Sequence, residues 1–117
     1  MLWRIDPAAA EPLYAQLVGQ VSLAVARGEL RAGERLPAAR ELAASLDLNV
    51  HTVLKAYQAL RDDGLIELRR GRGAVVTGAR PDLGPVEQAL ADLVAAARRA
   101  GLSPETTTTL VKEAMHR

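Results

Sequence analysis

The chain has 117 residues, 49% of them hydrophobic and 25% charged, enough for one domain with a packed core plus a small appendage and too apolar for a disordered chain. Cysteine is absent, which excludes disulfides and thiolate metal sites and fits a reducing, cytoplasmic setting. The net charge of +1 hides an asymmetry, because residues 27–80 carry ten Lys/Arg against seven Asp/Glu while both flanks are slightly acidic.

In chain order, the first predicted helix opens near Pro12, whose missing N–H costs little at a helix start. Leu13, Leu17, Val21, Ala24 and Val25 recur at helical spacing and form one apolar stripe. Arg27 and Gly28 end it, a cation followed by glycine. Ala32-Gly33-Glu34 reads as a turn. A second helix is predicted over residues 38–46, with Leu42, Ala43 and Leu46 inward. Asp47 in the following turn tolerates a left-handed backbone better than most residues with a Cβ. Asn49 is a good N-cap for a third helix over residues 50–63. Its core face is Val53, Ala56, Tyr57 and Leu60, which leaves His51, Thr52, Lys55 and Gln58 pointing elsewhere. Gly64 stops that helix. Residues 65–68 read as a strand, Arg70-Gly71-Arg72-Gly73 as a turn, and residues 74–77 as the returning strand. After a short linker, Pro85 starts a helix with a stripe of Val86, Leu90, Leu93, Val94 and Ala97. Ser103-Pro104-Glu105 starts the last one. Thr106, Thr107, Thr108 and Thr109 weaken it, each β-branched residue costing ~0.5 kcal/mol relative to alanine. Leu110, Val111, Ala114 and Met115 resume its apolar face.

The expected fold is mostly α with a small β-wing: a winged helix-turn-helix over residues 1–78, followed by a C-terminal helical hairpin over residues 79–117. A helix-turn-helix offers one protruding helix to a DNA major groove, and an arginine-tipped ribbon offers charge to the adjacent backbone or minor groove. Arg69, Arg70, Arg72 and Arg80 occur with no acid between Glu67 and Asp82, the local footprint of a polyanion partner or of a solvated hairpin tip. The two tail helices are too short to bury both stripes by themselves. Their apolar faces need either a second copy of the chain, as in a two-fold dimer on two half-sites, or the winged domain. Trp3, with Leu2 and Ile5, reads as an arm that packs on the body or on a partner. No signal peptide is read at the N-terminus, and no apolar run approaches the ~20 residues of a membrane helix. Two histidines without ligand spacing argue against a metal site. No nucleophile, phosphate loop or cofactor motif points to an enzyme. The competing reading is a winged-helix module used for protein contacts.

From Pro12 to Val76 the order of residues resembles the GntR family of bacterial transcriptional regulators. The resemblance is carried by Pro12-Leu13-Tyr14 with Gln16-Leu17, then Gly28-Glu29-Leu30 and Gly33, then Leu36-Pro37 with Arg40-Glu41-Leu42-Ala43. Thr52-Val53, Lys55-Ala56-Tyr57 and Leu60 continue it, and Gly64-Leu65-Ile66 with Gly71-Arg72-Gly73 completes it. The short two-helix tail is similar to that of the YtrA-like subfamily, where it serves dimerisation. The resemblance implies a dimeric repressor of a nearby operon, such as one for transport, bound to double-stranded DNA. The small-molecule effector is left unspecified, and a pocket of ~300 Å³ or more is not expected inside so short a tail.

The resemblance also implies that Arg40 meets phosphate at the start of the second helix and that Asn49 to Thr52 meet bases or backbone. It places Arg70, Gly71, Arg72 and Gly73 over the minor groove. Three positions depart from the family pattern. Val50 stands where arginine is common and offers only apolar contact, such as to a thymine methyl, Leu54 lacks the polar group often found there, and Ala38 replaces a capping serine. His51 and Lys55 are therefore the expected base readers. For Arg40 the alternative is a surface ion pair with Glu41 or Glu34, and for His51 an inert exposed side chain.

Overall fold

A computed structural model describes residues 3–117, with elements in the order α1 (Leu13–Ala26), α2 (Ala39–Leu46), α3 (Val50–Asp62), β1 (Ile66–Arg69), β2 (Gly73–Val76), α4 (Gly84–Arg99) and α5 (Pro104–Met115). The chain divides into two compact units, Met1–Pro81 and Asp82–Arg117. The division falls three residues past the expected boundary at 78. Arg80 accounts for the difference: its Nε donates to the Ala26 carbonyl at 3.0 Å, a cation on the negative end of α1.

In the first unit, Leu17, Val21, Ala24 and Val25 of the expected α1 stripe are buried and Ala26 joins them, while Leu13 in the first turn is only partly buried. Pro12 is the N-cap rather than the first helical residue, since its carbonyl takes the first helical hydrogen bond, from Gln16 N. α2 begins at Ala39, one residue later than expected, and its cap Ala38 supplies no side-chain hydrogen bond. Asp47 closes α2 at φ 55°, ψ 48°, the left-handed conformation its short polar side chain accommodates. α3 buries Val53, Ala56, Tyr57 and Leu60, all four expected core positions, against α1 and α2. Fully burying a Val or Leu side chain contributes about 1.5–3 kcal/mol, so this one face holds the three helices together.

The ribbon is antiparallel, pairing Ile66 with Val76 and Arg69 with Gly73. Both strands are offset by one residue from the expected ones. Thr77 is the cause, because its N–H donates to Leu65 O and its hydroxyl to Gly64 O at 2.7 Å, which closes the base of the ribbon and leaves a three-residue tip. The turn expected around Gly33 hides a further pairing. Gly33 N donates to Val76 O, Val76 N to Glu34 O, and Leu36 N to Ala74 O, with an isolated bridge between Arg35 and Val75. The segment leading to α2 therefore runs along β2 as a short third edge.

The N-terminal arm is held by two glutamines one turn apart on α1. Gln16 Oε1 accepts from Asp6 N at 2.8 Å and its amide donates to Asp6 O and Glu11 O. Gln20 accepts from Arg4 N and donates to Arg4 O. Trp3 and Ile5 pack on the core of this unit, so the arm lies on its own body. Leu2 lies outside the described residues.

In the second unit, Pro85 sits in the first turn of α4 and Gly101 ends the helix at φ 72°. Ser103 caps α5 by accepting from Thr106 N at 3.0 Å. The threonines return hydrogen bonds to the preceding turn: Thr107, Thr108 and Thr109 each donate to the carbonyl four residues back. That satisfies their hydroxyls without breaking the helix. Ala97 is the buried hydrophobic residue here, while Val86, Leu90, Val94, Leu110, Val111 and Met115 are exposed.

Candidate nucleic-acid interface

α3 has two faces. Opposite its buried stripe, His51, Leu54, Lys55 and Gln58 are exposed at i, i+3, i+4 and i+7, one line along the helix. Asn49 holds the N-terminus, its Oδ1 accepting from His51 N at 2.8 Å. The cap uses one lone pair of that oxygen, and the Asn49 amide hydrogens make no bond among the described residues. The capped terminus still presents N–H groups and the positive end of the helix dipole, which favours phosphate. Thr52 is half-buried. Val50 is partly buried and packs against the core. Lys55 does not extend freely, because its ammonium sits 3.9 Å from the centre of the Tyr14 ring, a cation–π contact tying α3 to α1.

Leu36 and Pro37 form the joint of the site. Leu36 N is bonded to β2 through Ala74 O at 2.9 Å. Pro37 O accepts the Tyr57 hydroxyl of α3 at 2.6 Å. Two residues further on α2 begins, carrying Arg40 in its first turn. One short stretch of backbone thus fastens α2, α3 and the distal half of the ribbon to one another. Burial pushes the Tyr57 phenol well above its ordinary value, so the hydroxyl stays protonated and donating. Arg40 is exposed and makes no side-chain hydrogen bond or ion pair among the described residues. The expected alternatives, Glu41 and Glu34, do not engage it, and Glu34 Oε1 instead accepts from Arg31 N.

The ribbon sorts its arginines. Arg69 is paired with Glu67 at 2.7 Å, and Arg80 is committed to Ala26, with Gly28 at φ 78° leaving room for its guanidinium. Of the four arginines expected to form one basic footprint, two are therefore engaged within the fold. Arg70 and Arg72 remain exposed at the tip, without ion pairs among the described residues. Gly71 and Gly73 take φ 79° and 72°, values a residue with a Cβ adopts at a cost, and nothing lies within 4 Å of where that Cβ would stand. These glycines keep the tip narrow and its backbone approachable.

Sequence reasoning missed the Leu36 and Pro37 joint, the Tyr14 contact and the exposure of Leu54. Gln58 was legible as a residue off the core face. Leu54 was legible only as a departure from the family pattern, and no spacing signal marked the bonds at Pro37.

Winged helix-turn-helix transcriptional regulators are the class this fold defines, with a capped third helix and a cationic ribbon tip in one compact unit. Comparison with known proteins agrees: the family model described as bacterial regulatory proteins, gntR family, matches residues 13–76. The chain is 33% identical, over 94% of its length and 89% of the relative's, to the HTH-type transcriptional repressor YtrA of Bacillus subtilis. Its structure is similar to that of YtrA from Sulfolobus acidocaldarius, a GntR-family transcription factor, with 31% identity, 97% of each chain covered and a TM-score of 0.62. It also resembles the DNA-binding domain of AraR in complex with operator ORX1, at 27% identity and a TM-score of 0.55, over 65% of this chain and 93% of that one. The chain belongs to the gntR family, in its YtrA-like branch, and is a sequence-specific regulator of transcription that binds double-stranded DNA. Among the described residues, no helix is long and apolar enough to cross a membrane.

Proposed function

We propose that this protein is a cytoplasmic homodimeric repressor of a nearby operon, with α3 in a major groove and the ribbon tip on the adjacent minor groove. The observation that carries the reading is the joint at Leu36 and Pro37. It ties the exposed Arg40, the outward line of α3 and the strand leading from Arg70 and Arg72 into one unit. In this reading Arg40, Arg70 and Arg72 neutralise phosphates, Gly71 and Gly73 bring the tip backbone close, and Asn49 and Thr52 contact the backbone at the helix start. His51 reads a base edge, and Lys55 does so on leaving the Tyr14 ring. The repressor role and a transport-related target are supported by likeness to the Bacillus relative, which is named a repressor, and by the family resemblance.

Residues 79–117 serve as the dimerisation segment. Val86, Leu90 and Val94 on α4 and Leu110, Val111 and Met115 on α5 are exposed, an apolar area unusual for a face left in water. A two-fold dimer would cover it and set the half-site spacing.

Selection of bound sites from random duplexes by the purified protein tests this function. The expected result is a two-fold symmetric motif whose affinity falls steeply with salt, about 0.9 in log–log slope per neutralised phosphate. No enriched motif together with a flat salt response would leave the protein-contact module as the better reading.

A further inference from the structure

The outward line of α3 contains a residue whose chemistry does not match its neighbours. Leu54 is 40% exposed between His51 and Gln58, both polar. A single exposed leucine is ordinary on a protein surface, and Leu23 on α1 and Leu68 on β1 are as open. Leu54 differs from these in its position, at the middle of the line that faces the groove when α3 binds.

Two further observations narrow the chemistry of that line. Val50, the other apolar residue near the helix start, is partly buried and packs against the core, so it has less apolar surface to offer than Leu54. Lys55, beside Leu54, is drawn toward α1 by the Tyr14 ring. Leu54 is the exposed apolar side chain on this line. Its isobutyl group has no hydrogen bond to give or take. The one apolar feature that a base pair shows in the major groove is the C5-methyl of thymine.

We infer that Leu54 is a specificity-determining residue that reads a thymine methyl in each half-site. The inference rests on α3 lying in the major groove, as in the function proposed above. His51 and Gln58 are three and four residues away, about 4.5 and 6 Å along the helix axis. The thymine therefore falls within one or two base pairs of the position His51 reads. Burying one methyl group against Leu54 is worth about a fourfold change in affinity per half-site, and about fifteenfold for the two halves of a symmetric site.

The test uses the full chain and a duplex chosen by selection from random sequences. Each thymine is replaced in turn by deoxyuridine, which removes the methyl and leaves every hydrogen-bonding group in place. We expect one position per half-site to lose about fourfold and the remaining positions to be indifferent. Leu54→Ala should abolish the difference between thymine and uracil at that position alone, and Leu54→Met, which keeps the apolar reach, should retain it. No uracil-sensitive position in the unaltered protein would overturn the inference while leaving DNA reading intact. So would a sensitivity that persists unchanged in Leu54→Ala. Failure to select any site would instead overturn the function on which the inference rests, and the inference with it.

Discussion

Tyr57 joins the core to the binding surface. Its ring is buried on the inner face of α3, and its hydroxyl donates to Pro37 O at 2.6 Å at the entry to α2. Removing that hydroxyl leaves the carbonyl without its partner, which costs about 1–3 kcal/mol. Tyr57→Phe should lower the urea midpoint without changing the denaturant slope. Burial raises the phenol's pKa in the folded state. The neutral form is thus favoured by folding, and its contribution is complete below the unfolded value of about 10 and lost as pH climbs above it. Urea titrations of both proteins at about pH 8 and pH 11 check the sign: the unaltered protein should lose more stability between them than Tyr57→Phe. A larger loss in the variant would contradict the assignment.

Among elements, the ribbon makes the sharpest distinction between like residues. Arg69 is paired with Glu67, whereas Arg70 and Arg72 project from a tip shaped by two left-handed glycines. Arg70→Ala and Arg72→Ala should each weaken binding on all sequences and reduce the salt slope by about 0.9. Arg69→Ala should change it less. Equal slopes for the three variants would show that the ion pair does not set Arg69 apart. The same ribbon shows where the sequence was legible. Alternation and glycines announced two strands and a basic tip, because side-chain pattern and left-handed backbone leave local marks. The one-residue offset and the third edge along β2 depend on Thr77 and Leu36 meeting residues distant in sequence. No local pattern encodes those meetings. The helices followed the same rule. The stripe of α3 was readable to the residue and that of α1 apart from Leu13 and Ala26, while the cation–π contact between Lys55 and Tyr14 is a tertiary encounter that changes what that lysine offers.

For the whole molecule, the winged unit has a core shared by three helices and a ribbon, while the tail leaves most of its large apolar side chains in water. A shortened chain ending at Pro81 retains Arg80 and its bond to Ala26. It should fold and be monomeric by light scattering, and should bind an isolated half-site more weakly than the full chain binds a paired one. A dimer at that length would remove the role assigned to the tail. Within the winged unit, the outward line of α3 shares no residue with the inward stripe of Val53, Ala56, Tyr57 and Leu60. In the function proposed above, operator preference at His51 and Leu54 is therefore inherited through codons other than those of the buried stripe, whereas Lys55 serves both through its contact with Tyr14. On that reading, a lineage can retarget such a regulator by exchanging His51 or Leu54, and paralogues with one scaffold can diverge toward different promoters while the buried stripe stays unchanged.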